Sequence, residues 1–139
     1  MTDDEARVFL LEGTRTGKLA TVREDGSPHI APIWFTLDDE DLVFATGAET
    51  VKARNMRRDP RVTLCADLEE PPYGYVRVDG RAQLIDDDPD ALLHWCTVIG
   101  GRYMGADRAE EFGRRNAVPS ERLVRVTIER LVAPMEVAD

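Results

Sequence analysis

At 139 residues, with 42% hydrophobic content and a formal net charge of −9, the chain is sized for one soluble core. Its acidity, with a pI ≈ 4.7, argues against nucleic-acid binding, which depends on neutralising phosphates; no apolar run approaches membrane-spanning length. The N-terminus has no basic segment followed by an apolar one, which reads as a cytoplasmic protein. Cys65 and Cys96 have neither CxxC spacing nor clustered histidines, so they read as buried thiols, with no zinc site and no disulfide framework.

Along the chain, Ala6, Phe9 and Leu10 recur at helical spacing, predicting a helix over 3–12 ended by Gly13. GKLATVRE and SPHIAPIWFTL then flank Glu24-Asp25-Gly26, a hairpin signal. A second turn at 38–41 leads into LVFAT, so three consecutive strands are expected in an antiparallel meander. Gly47 breaks the third, and AETVKARNMRRD predicts a short helix capped by Thr50 and stopped by Asp59-Pro60. RVTLCADL returns to strand character, and PPYG turns the chain. YVRVDGRAQL alternates, with Val76, Val78, Ala82 and Leu84 on one face. Helices are expected over 89–104 and 107–115, and a last strand turns Val124, Val126 and Ile128 inward. Six antiparallel strands with peripheral helices, in one domain spanning 1–139, point to a mainly β, α+β architecture: a small closed or nearly closed barrel with helices at its rim.

Familiar catalytic motifs are missing. GTRTGKL is one residue short of a P-loop and lacks the hydroxyl residue after Lys18. GGRYMG at 100–105 reads as a helix C-cap, and the acid runs DDED and DDDPD fit solvated turns and caps. His29 and His94 lack spaced metal-ligating partners. No catalytic side chain is assigned, so any enzyme chemistry has to come from a bound cofactor.

One stretch stands out. Lys52, Arg54, Arg57, Arg58 and Arg61 crowd into ten positions against one acid, Asp59. Such a run is either a solvated helix face or an anion site. In the second case a phosphate at the helix start meets backbone N–H groups, the positive end of the helix dipole, the hydroxyls of Thr46 and Thr50, and the Lys52 ammonium.

The order GKLATVREDGSPHIAPIWF, LVFAT, TVKARNMRRDPRVTLCAD and VRVDGRAQL resembles the split-barrel flavin/deazaflavin oxidoreductases related to pyridoxamine 5′-phosphate oxidase, and within them the actinobacterial branch that uses coenzyme F420. The resemblance runs from about residue 5 to 132, and its most specific element is K-x-R-N-x-x-R-D-P-R at 52–61. It implies a homodimer with each cofactor in a groove between protomers and its phosphate gripped by the helix after strand three. On that basis Lys52, Arg54 and Asn55 hold the phosphate and tail, with Thr46 and Thr50 as hydroxyl donors. Pro32, Ile33 and Trp34 line the ring, although Trp34 also fits a purely core role. Tyr73, Gly74 and Tyr75 approach from the partner chain. The C-terminal RLVRVTIERLVAPMEVAD lacks the basic, hydroxyl-bearing grip of the enzymes that bind pyridoxal phosphate.

FMN and coenzyme F420 both present a tricyclic ring and a ribityl phosphate; the deazaflavin adds a lactyl-oligoglutamate tail, which the surplus Arg54, Arg57, Arg58 and Arg61 suit. The implied activity is hydride transfer to an electron-poor conjugated small molecule, with Tyr75 or water as proton source. The alternatives are an FMN-dependent oxidase or reductase on the same fold, and a non-catalytic dimer that binds flavin or haem.

Overall fold

Thr2 starts the first helix, α1 (Asp3–Leu11), through a capping box: its hydroxyl accepts from the Glu5 N–H while the Glu5 carboxylate accepts from the Thr2 N–H. The computed structural model describes residues 1–134; residues 135–139, the end of the C-terminal segment discussed above, lie outside the described residues. Ala6, Phe9 and Leu10 of α1 are buried, matching the helical spacing that predicted them.

Seven strands follow, one more than the sequence predicts. They are β1 (Gly17–Val22), β2 (Pro28–Ile33), β3 (Thr36–Asp38), β4 (Asp41–Gly47), β5 (Arg61–Asp67), β6 (Tyr75–Ile85) and β7 (Glu121–Val132). The extra strand comes from SPHIAPIWFTL, which is two strands and not one. β2 pairs with β1 across the Asp-Gly turn, whereas β3 pairs with β4, so the expected three-strand meander is broken at Trp34-Phe35.

This break shapes the molecule. The sheet order is β2-β1-β5-β6-β7-β4-β3, every neighbouring pair antiparallel, with β2 and β3 at opposite edges. Yet β2 and β3 are consecutive in the chain, and Ile33 and Thr36 can be at most about 11 Å apart. The sheet therefore curls until its edges meet, which gives a barrel split along one seam. A bulge between Asp79 and Gly80 helps β6 bend; a Cβ at Gly80 would meet the Thr127 carbonyl oxygen.

Inside lie Phe35, Phe44, Leu19, Leu42, Leu64, Val76, Val78, Val124 and Val126, with Leu10 of α1 among them. Because strand side chains alternate, Val43 of β4 and Leu123 of β7 point the other way, into a second cluster with Leu92 and Cys96. Those two belong to α3 (Pro89–Met104), which packs outside the barrel. α4 (Ala109–Asn116), led in by a 3-10 turn at Ala106–Arg108, folds back onto α3. As expected, GGRYMG ends the helix; Gly100 lies inside α3, buried under Phe112, and a Cβ there would come within 2.7 Å of the Phe112 Cβ. The cap is Gly105, with φ 104°.

One side chain ties these layers together. Arg102 of α3 donates to the carbonyls of Leu10, Gly13 and Phe35 while its guanidinium lies over the rings of Phe35 and Tyr103. Tyr103 donates to the Arg15 carbonyl and accepts from the Phe35 N–H. The seam residues Trp34-Phe35 are thus held from outside by α3. Among the described residues, no helix is long and apolar enough to cross a membrane.

Candidate functional site

The short helix α2 (Val51–Arg58) leaves directly from the end of β4. Its start is built from three hydroxyl contacts. Thr50 Oγ1 accepts from the Ala53 N–H, donates to the Gly47 carbonyl at 3.0 Å and lies 3.1 Å from Thr46 Oγ1. Ala53 is thereby capped, whereas the N–H groups of Val51 and Lys52 have no intrahelical acceptor, as at the start of any helix.

A groove of ≈ 390 Å³ opens at this point, within the ordinary size range of small-molecule sites. Thr46 and Gly47 from β4, Thr50 and Lys52 from α2 and Glu121 from β7 supply its polar lining; Pro32, Ile33 and Trp34 at the end of β2 supply an apolar wall, with Cys96 and Ile99 of α3 facing it and Asn116 closing α4. The groove therefore lies outside the barrel, between α3 and the split seam.

Lys52 is half-buried, and among the described residues its ammonium has no hydrogen bond and no carboxylate within 4.0 Å. Burial pushes its pKa below the ordinary lysine value, and the field of Glu121 only partly offsets this. Burial likewise raises Glu121, again partly offset by Lys52. The Cys96 thiol is pushed up to about 11, chiefly by burial and then by Glu121. A half-buried cation without an ion-pair partner, beside free helix N–H groups, is an arrangement that an anion completes.

The arginines of the basic run are placed differently. Arg57 forms a bidentate pair with Asp86, and Arg61 pairs with Asp59. Arg54 donates to the Glu49 carbonyl, and Arg58 to the Val22 carbonyl and to Asn55 Oδ1. Asn55, 4% exposed, donates to Thr21 Oγ1 at 3.0 Å. Its Nδ2 joins α2 to β1, and its Oδ1 accepts from Arg58 of the same helix. Of the residues expected at the phosphate and tail, then, Lys52, Thr46 and Thr50 come together in the groove, while Arg54, Asn55 and Arg58 do not line it. Positions 54 and 58 turn away from the face that position 52 presents, whereas Asn55, about one turn on from Lys52, is buried and held by Thr21 of β1.

Trp34 is half-buried between α3 and the groove. One face stacks on Tyr103, with ring centroids 5.0 Å apart and 6° between planes, and Phe112 tilts against it; Trp34 also borders the groove. Tyr73, Gly74 and Tyr75 lie in the loop into β6 and do not line this groove. Tyr73 is exposed, with φ 60°.

Six groove residues escape a reading of the sequence, of which Ala45 and Gly47 simply flank the predicted Thr46. Cys96 and Ile99 carry a signal, since with Leu92 they form the apolar stripe of α3. Glu121 and Asn116 carry none; the pairing Gly47↔Glu121 is what brings Glu121 in. Among the described residues no three His, Cys, Asp or Glu side chains are grouped so as to hold a metal ion. The donor set present, one cation with two hydroxyls and helix N–H groups next to an apolar wall, fits a planar ring carrying a phosphate.

Solved structures agree in fold and extent. The conserved hypothetical protein Rv2991 from Mycobacterium tuberculosis is 28% identical with a TM-score of 0.83, over 96% of this chain and 84% of that one. An F420 reductase is 27% identical with a TM-score of 0.71, over 88% of this chain and 93% of its own. HutZ, the heme storage protein from Vibrio cholerae, shares the fold at 20% identity and a TM-score of 0.73, over 94% of this chain and 93% of that one. With residues 2–133 matching the pyridoxamine 5′-phosphate oxidase family, and with the split barrel and its groove in place, the chain belongs to that family of flavin and deazaflavin oxidoreductases.

Proposed function

We propose that this protein is an oxidoreductase that uses coenzyme F420 to transfer a hydride to an electron-poor conjugated small molecule. The observation that carries the reading is Lys52: a half-buried ammonium without a carboxylate within 4.0 Å among the described residues, at the start of α2, on a groove walled by Pro32, Ile33 and Trp34. The likeness to an F420 reductase across most of both chains supports the deazaflavin over FMN.

In this reading Lys52 and the N–H groups opening α2 bind the ribityl phosphate, and the hydroxyls of Thr46 and Thr50 turn from each other and from the Gly47 carbonyl to donate to it. Ile33 and Trp34 orient the ring, and the stack of Trp34 on Tyr103 keeps that wall rigid. The apolar wall with Ile99 excludes water from the ring. When bound, the deazaflavin supplies the hydride chemistry. Arg54 and Arg58 are exposed and bonded only to carbonyls and an amide, contacts that a polyanionic tail can compete with.

The groove is open, so a second copy of the chain, bringing Tyr73 to Tyr75, belongs to this proposal as its cover. The edge strand β2 offers the surface for it: Pro28, Ile30 and Pro32 alternate outward, and Ile30 is 67% exposed. The test is a single turnover. Protein mixed with reduced coenzyme F420 and a panel of activated enones, quinones and imines should oxidise the coenzyme with at least one acceptor, faster than the coenzyme alone reacts. Bound coenzyme that is never oxidised by any of them would make the protein a carrier and not an enzyme.

A further inference from the structure

The seat around Lys52 holds a carboxylate as well as a cation. Glu121 opens β7 opposite Gly47. A Cβ at Gly47 would sit 3.5 Å from Glu121 Oε1 and 3.2 Å from Thr50 Cγ2, so the carboxylate and the Thr50 side chain face the same point of the backbone. Glu121 and Lys52 line one groove, yet they do not come within ion-pair distance of each other among the described residues. An anion bonded to Lys52 and Thr50 is therefore a neighbour of Glu121 too.

The local charges can be counted. Lys52 on α2 and Glu121 on β7 sum to zero. The other nearby cations do not line the groove: Arg57 and Arg122 converge on Asp86, and Arg54, charged and exposed, lies on the Glu49 carbonyl. From α3 the neighbouring titratable group is the Cys96 thiol, held neutral by burial. With Lys52 and Glu121 cancelling, an anion here is held by its place beside the Lys52 ammonium and by the free N–H groups opening α2, and each negative charge beyond the first adds repulsion from Glu121 without a further side-chain cation in the groove.

We propose that Glu121 is the specificity-determining residue of this seat, selecting a singly charged phosphodiester over a doubly charged phosphate monoester. This rests on the reading of the groove as a cofactor site and deepens it. Coenzyme F420 carries its ribityl phosphate as a diester to the lactyl tail, whereas FMN ends in a monoester whose charge is about −1.5 to −2 at neutral pH.

A matched ligand pair tests it: FMN and the methyl ester of its phosphate, identical in ring and ribityl chain and one charge apart. Fluorescence titrations use the wild type, Glu121→Gln and Glu121→Asp. At about pH 8 the wild type should bind the ester on the order of tenfold tighter than FMN; Glu121→Gln should bring the two within about twofold, mostly by tightening FMN; Glu121→Asp should keep the preference. At about pH 5, below the second phosphate pKa of about 6, the wild-type preference should also collapse. The ratio within one protein does not depend on how much of a variant is folded. Equal binding of the two ligands by the wild type, a preference unaltered by Glu121→Gln, or no flavin binding by Glu121→Gln overturns the inference. If coenzyme F420 binds the wild type in the same assay the cofactor reading survives that result; if it does not, both fall.

Discussion

Replacing Lys52 by Met should act in opposite directions on ligand binding and on folding. Among the described residues Lys52 is the one cation lining the groove, half-buried, and its pKa is lowered, burial outweighing the attraction of Glu121. A basic group with a depressed folded pKa contributes stability above its unfolded pKa, near 10.5, and loses it as pH falls through the folded value. At neutral pH the charged lysine is thus already on its unfavourable side. Lys52→Met keeps the apolar stem and removes the charge, so the melting temperature of the free protein should hold or rise, with any loss under about 0.5 kcal/mol. Binding of a phosphate should suffer. A charge-assisted bond contributes about 1.5–3 kcal/mol, which weakens the dissociation constant by roughly 10- to 150-fold. The assay is a titration of wild type and variant with coenzyme F420, FMN and riboflavin, with melting curves on the same samples. Riboflavin, lacking the phosphate, should bind both proteins alike. An equal loss for all three ligands, or a variant clearly less stable than wild type, would refute the assignment of Lys52 as a phosphate-binding charge.

Thr50→Ala removes the acceptor for the Ala53 N–H and the bond to the Gly47 carbonyl, and should cost about 1 kcal/mol in urea denaturation while also weakening phosphate ligands. Arg102→Ala leaves three carbonyls without their donor and opens the packing between Phe35 and Tyr103; a loss of about 3 kcal/mol or more is expected, and unchanged denaturation would show that α3 is held mainly by its apolar stripe. Cys96, 3% exposed and pushed up to about 11, should resist an aromatic disulfide reagent near neutral pH and react quickly once the protein is denatured.

The strand and helix order was legible because periodicity in this chain is strong. The alternation of Val76, Val78 and Ala82 and the stripe of Ala6, Phe9 and Leu10 correspond to buried faces. What misled was continuity: SPHIAPIWFTL has β-forming residues throughout, and nothing local marks that Trp34-Phe35 leave one sheet edge for the other. That jump is a consequence of closing the sheet, a tertiary event. The glycines at 100–105 were legible as a helix end, with the cap at Gly105, but not in why two of them stand within the helix. Glycine usually ends helices, but here close approach to Phe112 and Ala109 of α4 requires it within one.

At the site, the sequence showed that the start of α2 was special, because a cap threonine, a second hydroxyl and a lysine stand within seven residues. It could not show which of the basic residues were free. Arg57 finds its carboxylate at Asp86, 29 positions on, and Arg58 a carbonyl at Val22, 36 positions back, pairings that only the folded sheet creates. Glu121 was invisible for the same reason. A glutamate at the start of a strand is ordinary until Gly47 is found opposite it.

The most direct measurement is equilibrium binding of coenzyme F420 and FMN to the purified protein, followed by light scattering on the same samples. The account predicts saturable binding of coenzyme F420, tighter than that of FMN, one molecule per chain, on a particle twice the 15.6 kDa chain mass. FMN held tightly with no measurable binding of coenzyme F420, or a monomer that binds neither, would contradict it.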